Sequence, residues 1–553
     1  MPPASVPPAD PQPDLPPGPQ QPASTPPDLP PVRPQPLAHR PVLRPLSRRS
    51  ALLLGGLGAA ATAAGGAGLW WSLATRSSSR TAPVTGAELS QPSELRSSGG
   101  RLEVRLEAGP GQFQLAGQQV RTLGYNGGIP GPTLRLRPGD LLNVRLANNL
   151  DQATNLHVHG LHVSPEGSGD NVFVMVNPGA VHEYEYRLPA DHPPGVYWYH
   201  PHHHGTVADQ IFAGLFGAII VEDPEPIAVS AERVLVVSDT TLDGAGNVAR
   251  VSQMERMLGR EGEIVLVNGQ SNPGFTAVAG TRERWRIINA CVARYLSLRL
   301  DGQQLQLLGM DSGRYRTPSD VEELFLAPGN RADLLVTTAA GNAVLRAAYY
   351  DRGTMAGMMG QGPGPRQTSR PGAAAAALAT LRVAGSAAPS TASPPSPLVP
   401  SPSPQTPLPA VREPDDLRTA AVAAHRQLTL SSGAGMGMGM GMGGGMMGFT
   451  INGREFSPAR TDTTVAAGSV EEWTLTNPSP MDHPFHLHVW RMQVVEEGGR
   501  PLEQPEWRDV VNVPAQGRVK VRVAFKDFAG RSVYHCHILD HEDLGMMGVI
   551  EVR

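Results

Sequence analysis

The chain has 553 residues, enough for about three domains at the usual 100–200 residues each. Its 46 basic and 50 acidic residues leave a net charge of −4 with no Lys/Arg run, which speaks against a nucleic-acid partner. Only two cysteines occur, Cys291 and Cys536, so if the second binds metal no intrachain disulfide remains.

Residues 1–46 carry 18 of the 55 prolines and almost no aliphatic periodicity, so they cannot bury a core and are expected to form a disordered tail. Ser47-Arg48-Arg49 and the uncharged Ala/Gly/Leu-rich run that continues to Leu73 look like a twin-arginine export signal over 47–75. The run is also nearly long enough to span a bilayer and no clean small-x-small cleavage site follows, so an uncleaved N-terminal membrane anchor is an alternative. Either reading predicts an exported protein, periplasmic or at the cell surface, that uses the twin-arginine export machinery.

From about residue 95 the chain becomes short β-branched runs broken by Gly, Pro and Asn, which predicts an all-β chain of sandwiches or barrels. A repeat is visible within it. Asn126-Gly127, Asn268-Gly269 and Asn452-Gly453 are followed by Gly139, Gly280 and Gly468. Residues at +5, +7 and +9 from those glycines are Val144, Leu146 and Asn148, then Trp285, Ile287 and Asn289, then Trp473, Leu475 and Asn477. This places the same inward-facing strand after the same turn three times. Domains are expected at 95–224, 225–385 and 425–553, with a Pro/Ser-rich linker at 386–424. Cys291, in an apolar run, reads as a small buried hydrophobe.

The first domain holds His157-Val158-His159 and His200-Pro201-His202; the third holds His486-Leu487-His488 and His535-Cys536-His537. Each pair puts two imidazoles on one face of an extended strand, so eight could line one cavity between the outer domains, with the middle domain a spacer. Cys536, His541 and Met546 form a soft thiolate, imidazole and thioether set that suits a blue-copper site. For the His-Cys-His triplet alone, a zinc site or a buried cysteine among surface histidines is the alternative. If Tyr534 to His537 run extended, Cys536 faces one way and His535 and His537 the other, so one segment would touch two metal centres.

Methionine supplies the last signal. Met436, Met438, Met440 and Met442 alternate with glycine, and Met446 and Met447 follow; Met355, Met358 and Met359 form a second cluster. Glycine at alternate positions gives these side chains nothing to pack against, whereas thioethers favour Cu(I). With Met481, two residues before His483, they suggest a route for cuprous ions; the alternative is a flexible low-complexity loop with no ligand role.

These motifs, together with Tyr125-Asn126-Gly127-Gly128-Ile129-Pro130-Gly131-Pro132-Thr133, resemble the multicopper oxidases; the C-terminal His-Cys-His-x3-His-Glu-Asp-x2-Gly-Met-Met is close to bacterial cuprous oxidases. The resemblance implies three cupredoxin-like Greek-key domains and four copper ions. By position, His483, Cys536 and His541, with Met546 axial, would hold type 1 copper, and His157 and His486 type 2. His159, His200, His202, His488, His535 and His537 would hold the type 3 pair. Asp170 and Glu542 are the implied proton-delivering carboxylates. One departure is Val489, which stands where the family usually has Gly; His162, His182, His192, His203 and His204 are read as non-ligands. The implied activity couples one-electron oxidation, of Cu(I) or of a small aromatic reductant as in laccases, to four-electron reduction of O2. A copper-sequestering or electron-carrier protein would need only the Cys536 site, and a copper nitrite reductase would lack the His-Cys-His bridge.

Overall fold

Three Asn-Gly turns anchor the architecture. In the computed structural model, Asn126, Asn268 and Asn452 and the glycine after each all have positive φ, between 50° and 78°, the conformation of a type I′ turn. Each turn asparagine also ties the turn to a neighbouring strand through its side chain. Its amide oxygen accepts from Glu107, Val236 or Thr429 N–H, and its amide nitrogen donates to the carbonyl two residues earlier.

The structure describes residues 85–353, 375–385, 408–410, 412, 414–434 and 447–553. The proline-rich tail, the twin-arginine stretch, most of the linker, and Met355, Met358, Met359, Met436, Met438, Met440, Met442 and Met446 lie outside them. No helix of the described residues is long and apolar enough to cross a membrane.

Among the described residues six sheets form three sandwiches. The first is built from strands between Glu94–Arg96 and Gly217–Val221, the second between Ala231–Thr240 and Ala376–Ala384, the third between Ala424–Ala434 and Met547–Val552. In each, the strand after the repeat glycine lies parallel not to the strand that runs into the Asn-Gly turn but to the one before it, Arg101–Leu115, Ala231–Thr240 or Ala424–Ala434, which requires a crossover rather than a hairpin. Val144 and Leu146, Trp285 and Ile287, and Trp473 and Leu475 are all fully buried. The asparagine ending each strand is buried too. Asn148, Asn289 and Asn477 each accept from a backbone N–H two residues on and donate to two or more carbonyls. Left unpaired, such a group would cost about 1–3 kcal/mol.

Among the described residues three short α-helices, Val207–Phe212, Gln253–Leu258 and Leu539–Asp543, and one 3-10 turn, Leu417–Thr419, interrupt the β pattern. All three α-helices meet around the C-terminal stretch. Near the end of the linker, Leu417 is buried against the third sandwich, and Arg522 donates to the carbonyls of Leu417 and Arg418. Cys291 is buried and unbridged, as expected.

Candidate metal centres

Strand register brings the histidines together. The strand His483–Leu487 pairs antiparallel with Gly530–Cys536, setting Phe485 opposite Cys536 and His486 opposite His535. Alternation then puts His483 and Cys536 on one face, and His486 and His535 on the other. In the first sandwich His157 lies opposite His200. One sheet thus serves two centres.

On the first face, Cys536 Sγ is 3.5 Å from His483 Nδ1 and 3.9 Å from His541 Nδ1. The other nitrogen of each ring is held from behind: His483 Nε2 meets Ser479 Oγ at 2.9 Å, and His541 Nε2 meets the Met257 carbonyl at 3.2 Å. If those nitrogens carry the protons, both Nδ1 lone pairs are presented to the sulfur. Met546 is fully buried, and its carbonyl accepts from Cys536 N–H. Burial, then the Arg352 charge, pushes His483 down to about 3; burial and its neighbours His483 and Arg352 lower His541, so both rings are neutral. Burial pushes the Cys536 thiol up, so only a cation would hold it as thiolate.

On the second face eight imidazoles converge, all fully buried or nearly so. His202 Nε2 and His488 Nε2 each lie 3.1 Å from His535 Nε2. His157 Nε2 and His486 Nε2 face each other at 3.5 Å, and His159 Nδ1 faces His200 Nε2 at 3.4 Å. Burial, reinforced by neighbouring imidazoles, lowers His157, His159, His486 and His488 well below the usual range; burial lowers His535 to about 4. Five of the eight already have acceptors at their back nitrogens: Asp170 for His157, the carbonyls of Pro201, Asp509 and Cys536 for His200, His486 and His535, and the Asp509 carboxylate for His159. With those protons assigned, lone pair faces lone pair across the His157–His486 and His159–His200 gaps, an arrangement that is repulsive until a cation lies between. Among the described residues His537 has no hydrogen-bond partner at either ring nitrogen. The donor set therefore fits copper.

Asp170 and Glu542 both reach this centre. Asp170 accepts from His157 Nδ1 at 2.9 Å and from Val158 N–H, while its neighbour Asn171 forms an Asx turn, accepting from Phe173 N–H. Glu542 lies 2.9 Å from His535 Nδ1 and 3.4 Å from His202 Nε2. Burial raises Asp170 to about 8 and Glu542 to about 7. Met481 is buried beside His483, and its backbone bridges to Gly353. His162 and His192 are spent in hydrogen bonds to Val489 O and Pro193 O. Val489, where the resembled family has Gly, takes φ +68°, a conformation rare for a β-branched residue.

The middle sandwich is not a spacer. Helix Gln253–Leu258 caps His541 through Met257, and Arg260 grips Asp540 of the third sandwich at 2.5 Å and Asp209 of the first at 2.6 Å. Arg352 donates to the carbonyls of Ala293, Leu258 and Gly259, and its own carbonyl accepts from Asp482 N–H, beside His483. Arg331 grips Asp509. Asp543 accepts from the amides of Gly205, Val207 and Ala208, capping a helix whose own Thr206 makes no side-chain cap. Sequence reading missed all of these. Their one signal was a charge set in an apolar run, as in Arg508-Asp509-Val510-Val511.

Three multicopper oxidase family models match residues 107–226, 228–363 and 426–553. The multicopper oxidase mco of Staphylococcus haemolyticus is 27% identical over 444 residues, 78% of this chain and 84% of its own. The Bacillus subtilis laccase is 24% identical, over 81% of this chain and 94% of its own. The solved structure described as a multicopper oxidase from Campylobacter jejuni, a metallo-oxidase, is 31% identical with a TM-score of 0.71, covering 85% of this chain and 96% of that one.

Proposed function

The chain belongs to the multicopper oxidases, copper-binding oxidoreductases that couple a reductant to O2, and from that premise we propose that its main reductant is cuprous ion. In this reading His483, Cys536, His541 and Met546 would hold type 1 copper. His157 and His486 hold type 2, and His159, His200, His202, His488, His535 and His537 hold the type 3 pair. Four coppers supply single-electron storage, so that O2, four electrons and four protons become two waters without release of a partly reduced product.

The residues supply the rest. From Cys536 Sγ an electron crosses only the Cys536 backbone, whose carbonyl accepts from His535 Nδ1 at 3.0 Å, to reach an imidazole of the second centre. Glu542 and Asp170 carry protons at their carboxyl oxygens, both within hydrogen-bond reach of that centre's rings. A bound cation lowers both carboxyls toward values at which they can release a proton.

One observation carries the choice of substrate: both methionine-bearing segments start or end beside the Cys536 centre. Gly353, just before Met355, Met358 and Met359, bridges to Met481; Phe449, just after Met446 and Met447, stacks on the His541 ring at 4.3 Å. The thioethers of these segments would offer soft ligands to the ion whose electron is taken. The second reading, laccase-like oxidation of phenols or aromatic amines, is favoured by the likeness to the Bacillus laccase. Against it, His483 and His541 are fully buried among the described residues, so no imidazole edge meets a flat substrate. Export through the twin-arginine machinery, with or without a retained anchor, would place the enzyme outside the cytoplasm, and the role that follows is copper tolerance. Steady-state O2 uptake on one fully metallated sample tests the substrate: a kcat/KM for a phenol above that for Cu(I) sinks the cuprous reading.

A further inference from the structure

Asp509 sits where the three sandwiches meet. Its carboxylate is saturated: Arg331 of the middle sandwich donates to both oxygens at 2.5 and 2.6 Å, Ser312 Oγ donates at 3.1 Å, and His159 Nε2 of the first sandwich lies at 3.1 Å. Arg331 is itself fully buried, with Nε on the Val196 carbonyl and one amino group on the Gly329 carbonyl. Space around the pair is closed. A Cβ on Gly160, next to His159, would come 2.3 Å from the Arg331 guanidinium and 2.6 Å from Asp509.

His159 also differs from its neighbours. It turns Nδ1 toward the facing imidazole, whereas His157, His200, His202, His486, His488 and His535 turn Nε2. A neutral imidazole offers a lone pair only on the nitrogen without the proton, so Nδ1 is a donor to metal only while Nε2 keeps its hydrogen. Asp509 supplies the acceptor that keeps it there, and the guanidinium fork fixes both carboxylate oxygens in place.

We propose that Arg331 and Asp509 are positioning residues for the eight-histidine centre, a fork and a carboxylate that set the His159 tautomer so that Nδ1 faces the metal site. The proposal rests on the reading of that centre as a copper site, and the wild-type arm of the test checks that reading by itself. Copper is titrated into metal-free protein against a chelator, with visible absorption and EPR reporting the Cys536 centre and the near-ultraviolet band of a coupled copper pair reporting the second. Four coppers and both signals in the wild type uphold the reading; no copper at the histidines fails it, whatever the variants do.

Asp509→Asn turns an acceptor into a possible donor. Copper affinity at the eight-histidine centre is expected to fall about 10–100-fold with loss of the near-ultraviolet band, while the Cys536 signals stay as in wild type. Arg331→Lys keeps the charge without the fork and falls between the two. Ser312→Ala, which removes a hydrogen bond from the same carboxylate without touching the tautomer, leaves both centres intact. Wild-type affinity in folded Asp509→Asn overturns the proposal. So does equal loss at both centres, or failure of both Asp509→Asn and Arg331→Lys to fold, since either makes the pair purely structural.

Discussion

The Cys536 centre and the eight-histidine centre share one strand, yet they are assembled by different means. His483, Cys536, His541 and Met546 all come from the third sandwich, and two adjacent strands, one short helix and the turn after it are enough to gather them. The eight histidines come half from the first sandwich and half from the third, and His159 finds its carboxylate partner 350 residues away. A centre built within one sandwich is set as that sandwich folds, whereas a centre built at an interface depends on every contact that holds the interface shut. The middle sandwich supports both through Met257, Arg260, Arg331 and Arg352.

The largest expected effect separates the centres outright. Cys536→Ser should remove all visible colour and lower oxidase turnover by at least about 1000-fold, as when one member of a catalytic unit is removed, while most copper at the histidines stays bound. A blue variant would take Cys536 out of its centre.

His486→Ala makes the complementary break. The protein should stay blue and be bleached by reductant, but O2 should no longer restore the colour, with a loss exceeding the roughly 10–100-fold typical of an outer partner. Near wild-type O2 reduction would show that His486 is not needed.

Asp543→Ala weakens the interface without touching a ligand. Losing a carboxylate that accepts three amides costs at least about 2 kcal/mol. Heating with copper release followed at both centres should empty the histidines first. Simultaneous loss would contradict the contrast drawn between a local and a docked centre.

Arg260→Gln tests the clamp between sandwiches by pH. Burial alone would raise the Asp209 carboxyl, but the charges of Arg260 and Arg256 and their hydrogen bonds outweigh it and hold Asp209 below the usual range. A carboxylate lowered on folding contributes stability that is present above its unfolded value, about 3.9, and is lost as pH falls through the folded one. The variant should therefore melt below wild type at neutral pH, and the gap should narrow below about pH 4. A gap constant with pH would remove the Asp209 charge from the clamp.

The smallest effect concerns substrate. Replacing Met436, Met438, Met440 and Met442 by Leu should raise KM for Cu(I) about 3- to 10-fold and leave phenol turnover unchanged, because binding of one substrate is lost without touching the shared chemistry. Equal change for both substrates would indicate general damage.

Much of this was legible in the chain because it depends on spacing alone. Alternation at Tyr534 to His537 separates Cys536 from its two histidines whatever else the chain does, and Asn-Gly followed by a second glycine specifies the same turn and strand three times. What tertiary structure alone decided is which group stands behind each ligand. Arg331 meets Asp509 across 178 residues and Arg260 meets Asp540 across 280, and no local periodicity encodes such a distance. These charges are buried where water cannot reach them, so each needs a partner that only docking of the three sandwiches brings within reach.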